Sequence, residues 1–108
     1  MKIAIPTKNH MKLKDEVSDV FARAKTFTII EVEDKEIKSI KVVDNPVLNY
    51  AFGVGPIIVK MLEDMKVDLV ITSQIGFGIS QLLQQRNIRY MTVKAQTKVE
   101  DALKEIIK

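Results

Sequence analysis

Three short segments rich in β-branched residues occupy the first half of the chain and predict strands. The first is Lys2–Thr7. The other two are residues 26–32 and residues 36–43, in which Thr, Ile and Val recur. The charged residues 33–35 separate them, so this part of the pattern predicts an antiparallel hairpin.

Apolar positions at helical spacing follow the first strand and the hairpin. Residues 8–15 are polar and basic, which predicts a surface loop, and residues 17–24 then predict a short helical turn. Behind residues 53–55, Pro56 fits the first position of a helix, where a missing N–H costs nothing. The apolar stripe of that helix is predicted to consist of Ile57, Ile58, Met61, Leu62 and Met65.

Strands and helices alternate in the second half of the chain. Residues 67–72 and 88–93 predict strands, and the apolar residues of segment 79–83 mark a helix between them. Thr97, followed three positions later by Glu100, matches a capping box and predicts that Thr97 caps the last helix. The buried face of that helix is predicted to consist of Val99, Ala102, Leu103, Ile106 and Ile107.

This order of elements predicts an α/β fold, in which a mixed five-stranded sheet with an antiparallel hairpin is flanked by helices in a single domain over residues 1–108. If all strands but the second run the same way, the loops after them share one edge, together with Arg23 and Lys25 before the second strand. Ligands of open α/β sheets bind at such carboxyl ends. The loops in question are residues 7–15, 44–52, 73–78 and 94–96.

Composition narrows the function classes. The net charge of +3 on 108 residues is not concentrated in any run, so nucleic acid is not an expected partner. The absence of cysteine excludes disulfides, thiol nucleophiles and thiolate metal sites. The sequence shows no signal peptide, and no apolar run approaches the ~20 residues of a membrane span, so we expect a cytoplasmic protein that does not bind membranes.

Two glycine pairs stand at the predicted carboxyl edge, each before a helix: Gly53 with Gly55, and Gly76 with Gly78. Glycine lets backbone N–H groups approach a ligand closely, and the start of a helix favours anions. Neither pair matches a nucleotide-binding pattern. The alternative interpretation is that these glycines only shape the turns from strand to helix.

Two side chains at the same edge are candidates for ligand chemistry. His10 is the only imidazole of the chain, so a metal ion or a shuttled proton would depend on it. Arg23, next to the second strand, is a candidate for anion contact. For both side chains the alternative is an ordinary solvated surface residue.

A series of short motifs runs from one end of the chain to the other. The motifs are residues 1–6 (Met-Lys-Ile-Ala-Ile-Pro), residues 17–24 with Phe27, Asn45-Pro46, residues 53–56 (Gly-Val-Gly-Pro), residues 68–72 (Asp-Leu-Val-Ile-Thr), residues 75–78 (Ile-Gly-Phe-Gly) and residues 97–103. In order and spacing they resemble the dinitrogenase iron-molybdenum cofactor biosynthesis family.

The resemblance implies a ribonuclease-H-like fold and a noncatalytic domain that binds or carries an iron-molybdenum cofactor, an iron-sulfur cluster or a precursor. It also implies a cluster-donor or cluster-acceptor protein as partner. The family often has a His-Phe-Gly-Arg-like element where this chain has Val20-Phe21-Ala22-Arg23. Phe21 and Arg23 carry over as cofactor-binding residues, so cluster ligation would depend on His10, on backbone amides or on a second subunit.

Three other function classes stay open at this point. The same glycines and Arg23 suit a binding module for a small anion such as phosphate or another oxyanion. A protein-interaction domain, as a monomer or homodimer, needs none of these groups. A two-metal nuclease is disfavoured because the first strand carries no carboxylate.

Overall fold

Five strands form one mixed sheet in the spatial order β3-β2-β1-β4-β5. β2 pairs antiparallel with both β1 and β3, whereas β1, β4 and β5 run parallel. This arrangement, in a computed structural model that describes residues 1–107, confirms the predicted mixed α/β sheet with its hairpin. The strands are β1 (Lys2–Thr7), β2 (Thr26–Glu33), β3 (Glu36–Asp44), β4 (Leu69–Thr72) and β5 (Arg89–Thr92).

The hairpin between β2 and β3 closes through a two-residue turn. Asp34 and Lys35 both have positive φ, 52° and 65°, which is the backbone of the turn that matches the twist of antiparallel strands. β3 lies at one edge of the sheet. Its lysines 38 and 41 are exposed and discourage pairing with another chain at that edge.

Helices cover both faces of the sheet because the strand residues alternate in direction. Ile3 and Ile5 of β1 pack on one face with Leu103, in the core beneath the C-terminal helix. Ala4 points to the other face and packs in the core beneath the first two helices, with Ile58 among its members. The sheet therefore separates two hydrophobic cores.

The helices are α1 (Val54–Asp64), α2 (Phe77–Gln85) and α3 (Val99–Ala102), with 3₁₀ turns at Lys12–Lys14 and Leu103–Glu105. α1 begins two residues before Pro56. The missing N–H of Pro56 still costs no hydrogen bond, because the first four N–H groups of a helix have no partner within it. Ile57 is exposed and Val59 is buried instead, so the predicted stripe was wrong at that position. No helix within residues 1–107 is long and apolar enough to cross a membrane.

The predicted helical turn over residues 17–24 was wrong. Val17 forms an isolated antiparallel bridge with Thr7, and its N–H donates to the Thr97 carbonyl at 2.8 Å. The N–H of Ser18 donates to the Pro6 carbonyl at 2.8 Å. The carbonyls of Val17, Ser18 and Asp19 are the acceptors that a helix would need. They accept instead from the Gln96 N–H, the Ser73 hydroxyl and the Gln74 side-chain amide, so the segment forms a loop tied to β1 and not a helix.

The predicted cap of the last helix was also wrong. Lys98, and not Thr97, stands at the N-cap, and no side chain caps the helix there. The N–H of Val99 instead donates to the main-chain carbonyl of Asp15 at 2.9 Å. A neighbouring loop therefore satisfies the start of α3, and the helix gives way to a 3₁₀ turn after one turn.

Candidate functional site

Two adjoining depressions at the carboxyl edge of the sheet form a groove, here called the carboxyl-edge groove. Their volumes are about 350 and 460 Å³, and Lys8, Asn9 and Lys25 line both. The first is lined in addition by Thr7, Ser18, Asp19, Val20, Arg23 and Ala24, and the second by His10, Thr26, Asp44, Asn45 and Leu48. The groove lies where the topology predicted a ligand site.

Three cations and two carboxylates line the groove, and their pairing decides which charge is available. The ammonium of Lys8 lies 3.4 Å from a carboxylate oxygen of Glu16, outside the groove lining. Within the part of the chain that the structure describes, the ammonium of Lys25 has no hydrogen-bond or ion-pair partner. The exposed Lys25 is therefore the cation most available to an anionic ligand.

The imidazole of His10 lies at one end of the groove and is paired with a carboxylate. Its Nε2 is 2.7 Å from Oδ1 of Asp44, and both side chains are exposed. Residues 1–107 contain no cluster of three or more His, Asp or Glu side chains that could hold a metal ion. Iron-sulfur clusters are held by thiolates, which this sequence lacks, so His10 and Asp44 do not fit a cluster ligated by the protein.

Arg23 lines the groove, but part of its guanidinium is turned toward the backbone of the next loop. Nη1 donates to the carbonyl of Tyr50 and Nη2 to the carbonyl of Ala51, both at 3.1 Å. The planar guanidinium suits this two-pronged contact. Arg23 therefore positions the loop between β3 and α1 and also adds positive charge to the groove.

The loop that carries Arg23 is fastened on its other side by a buried side chain. Nδ2 of Asn45 donates to the carbonyls of Ala22 and Ala24, at 2.8 Å each, while Oδ1 accepts from the N–H of Val47 at 2.9 Å. This use of all its polar atoms explains the Asn-Pro motif as a structural element. Two polar side chains in the loop after β4 also hold the segment before Arg23. The hydroxyl of Ser73 donates to the Ser18 carbonyl, and the side-chain amide of Gln74 donates to the Asp19 carbonyl.

Phe21 belongs to the core beneath the groove. Its side chain is buried and meets Phe27 edge-to-face, with ring centroids 5.9 Å apart and an interplanar angle of 77°. Packing of this kind anchors the loop, and the ring does not line the groove.

The two glycine pairs differ in what their backbones require. Gly53 has a φ of +76° at the N-cap of α1, a conformation that favours glycine, and the space beside Gly55 is filled by Cδ1 of Ile79 from α2. Gly76 and Gly78 have no such constraint: neither has a positive φ, and no atom from another part of the fold lies within 4 Å of where their Cβ would be. The first pair is explained by packing, whereas the second leaves open backbone at the edge.

A directional chain of hydrogen bonds runs beneath the groove. The Thr26 hydroxyl donates to the carbonyl of Asn9 at 2.7 Å, which uses its only proton. The hydroxyl of Thr7, 2.7 Å from that of Thr26, must therefore donate to it, and Thr28 at 2.9 Å must donate to Thr7. All three hydroxyl protons are thus committed inside the protein.

Sequence reasoning missed Lys8, Asp44 and Asn45. Asp44 was visible as the end of a strand at the predicted edge, but no local pattern shows that His10 folds back onto it. Asn45 was part of a motif, yet its buried role depends on contacts with a loop some 20 residues away. Lys8 lies in the basic loop of residues 8–15, and the composition of that loop was the only sequence feature that could have pointed to it.

Comparison with known proteins places the chain among relatives. The family described as dinitrogenase iron-molybdenum cofactor matches residues 1–108. An uncharacterized protein of Methanocaldococcus jannaschii is 32% identical over 88 residues, which are 82% of this chain and 70% of that protein.

Solved structures share the fold. A NifB-like protein from Thermotoga is 28% identical with a TM-score of 0.77, covering 97% of this chain and 85% of that one. The apo form of the orange protein from Desulfovibrio gigas has a TM-score of 0.86 at 20% identity, covering 98% and 86% of the two chains.

Proposed function

The chain belongs to the dinitrogenase iron-molybdenum cofactor family, and from this membership we propose that it is a noncatalytic cytoplasmic carrier domain for an anionic iron-molybdenum or iron-sulfur cluster, or for a precursor of one. The observation that carries the proposal is the carboxyl-edge groove. The ammonium of Lys25, which has no partner within the described residues, lines this groove together with Arg23 and Lys8.

The cargo is held by charge and not by ligation to the protein. The chain offers no thiolate, and its one imidazole faces a single carboxylate. An anionic cluster keeps its own inorganic or small-molecule ligands and rests against Lys25 in the groove, which Arg23 and Lys8 also line. Binding of this kind allows release to another protein without breaking a protein-to-metal bond.

The family name and the fold support this assignment together. The family description names the iron-molybdenum cofactor, and a structure with 28% identity is described as NifB-like. We further propose that the sheet is ribonuclease-H-like; the strand order with β2 antiparallel to its neighbours supports this class.

The test is anaerobic incubation of the purified protein with iron, sulfide and molybdate, followed by desalting and elemental analysis. Lys25→Glu places a carboxylate where the free cation stood, and it should abolish metal retention. Lys35→Glu makes the same charge change in the hairpin turn at the opposite edge of the sheet, and it should retain metal as the natural protein does. Equal retention by both variants, or no retention by the natural protein, would overturn the proposal.

A second candidate is a binding site for a small oxyanion such as molybdate or phosphate. The unconstrained backbone at Gly76 and Gly78 favours it, since backbone N–H groups bind tetrahedral anions directly. Molybdenum retained without iron in the same incubation would identify this function.

A further inference from the structure

Exposed aromatic side chains gather at the carboxyl edge beside the groove. Phe52 and Phe77 are 84% and 80% exposed, and Tyr50 is 51% exposed. We call these three residues the aromatic rim. Solvent exposure of this degree is unusual for phenylalanine, which buries well in cores, and a group of such residues marks an interaction surface.

The fold brings the rim together at one end of a helix pair. Phe52 directly precedes the N-cap of α1, and Phe77 is the first residue of α2. Ile79 fills the space beside Gly55, so the first turns of the two helices lie against each other. The rim adjoins the groove because the carbonyl of Tyr50 accepts a hydrogen bond from Arg23, which lines the groove.

The segments that carry the rim contain no acidic residue. All 14 acidic residues lie outside segments 45–62 and 69–99, which form the loop before α1, most of α1, and the chain from β4 to the start of α3. Neither α1 nor α2 has an acidic residue in its first turn. The free N–H groups there leave a positive potential that no carboxylate of these segments offsets.

The positive potential at the starts of α1 and α2 distinguishes between three kinds of partner that could bind the rim. A second copy of the chain would bring the same positive helix ends against each other, which disfavours self-association through the rim. An anionic membrane would need lysines around the aromatic side chains, but segment 45–62 contains only Lys60, which is paired with Asp64 at 2.8 Å. A protein surface with apolar side chains and carboxylates meets neither objection.

We infer that the aromatic rim is the docking surface for a protein partner that presents apolar side chains ringed by Asp and Glu, and that this partner gives or receives the cargo of the groove. The inference rests on the proposed carrier function for the role of the partner. A protein seated on the aromatic rim would lie beside the groove, because Arg23 contacts the Tyr50 carbonyl and also lines the groove.

The test uses a probe of defined chemistry, a random copolymer of Glu and Tyr, compared with polyglutamate. In ¹H–¹⁵N spectra of the labelled protein, the copolymer should shift the amides of residues 50–53 and 76–78, and polyglutamate should shift them less. The Phe52→Ser/Phe77→Ser variant should bind the copolymer roughly fivefold more weakly, as expected for removal of interface aromatics. Tyr90→Ser, an exposed aromatic on β5, should bind as the natural protein does.

Equal binding of both polymers, or equal binding by the rim variant, would overturn the docking surface. Binding of phosphatidylserine vesicles that depends on Phe52 and Phe77, without copolymer binding, would overturn it in favour of a membrane. Metal retention separates the two proposals: the rim variant should retain metal unchanged. A protein that binds the copolymer through the rim but retains no metal would overturn the carrier function alone.

Discussion

Nε2 of His10 lies 2.7 Å from Oδ1 of Asp44, which ties the polar loop after β1 to the last residue of β3. The side chains are 61% and 78% exposed, so solvent weakens the attraction between them. The contact links two loops of the groove without giving the imidazole a closed coordination site.

His10→Ala should lower the free energy of unfolding by less than about 1 kcal/mol, because exposed pairs contribute little. It should leave metal retention unchanged, since the cargo is held by charge. Urea denaturation and elemental analysis measure the two quantities. Asp44→Asn is the matched control for the lost contact. If metal disappears in His10→Ala but stays in Asp44→Asn, the imidazole is a ligand and the charge-held mode is wrong.

Gly53→Ala should destabilise the protein, whereas Gly78→Ala should not. At a φ of +76°, alanine should cost about 1 kcal/mol or slightly more. Gly78 lies in the first turn of α2 with open space and no positive φ, so alanine there should be neutral or stabilise by up to about 1 kcal/mol. Thermal unfolding of both variants tests this, and equal destabilisation would contradict it. If Gly78→Ala is stable but no longer binds anions, the backbone N–H groups at Gly78 contact the ligand.

Two substitutions in the threonine chain should differ although both remove one hydroxyl. Thr28→Val removes the first donor and leaves Thr7 still donating to Thr26, at a cost of about 1 kcal/mol. Thr7→Val leaves the buried Thr28 proton without its acceptor and should cost about 1 kcal/mol more. Chemical denaturation compares the two variants. A smaller cost for Thr7→Val than for Thr28→Val would show that the donors run in the opposite direction.

Arg23→Lys should loosen the loop before α1 while it keeps the charge of the groove. A single ammonium cannot reproduce the planar pair of contacts to Tyr50 and Ala51. The Tyr50 amide, which bonds the Val47 carbonyl at 3.0 Å, should exchange with deuterium faster than in the natural protein. The Val59 amide in α1 serves as an internal control. Unchanged exchange at Tyr50 would mean that the loop is held without Arg23.

The sheet could be predicted because its signals are local and repeated. Alternating apolar residues and the charged turn identify the hairpin, and the alternation of strands and helices leaves few possible topologies for β4 and β5. The predicted edge is also the edge where the groove lies, since that follows from strand direction alone.

The errors at residues 17–24 and at Thr97 share one cause, which is the competition of distant hydrogen-bond partners with local propensity. Val17 and its neighbours have helical spacing, but the carbonyls of Val17 and Ser18 accept hydrogen bonds from the Gln96 N–H and the Ser73 hydroxyl. Thr97 has the sequence of a cap, but its carbonyl is used by Val17 and α3 starts elsewhere. The partners of Arg23 and Asn45 are backbone carbonyls, which no side-chain pattern reveals.

The committed protons of the threonine chain bear on what the groove can discriminate. The hydroxyls of Thr7, Thr26 and Thr28 have no proton left to donate to a ligand, and the guanidinium of Arg23 has two of its donors on the protein backbone. The side chain that faces the cavity most freely is Lys25. Its ammonium is a point charge on a flexible stem and does not have the fixed planar geometry of a guanidinium. Such a cavity discriminates anions by charge and size more than by shape, so it should bind several related anions. Its affinity for them should fall steeply as ionic strength rises.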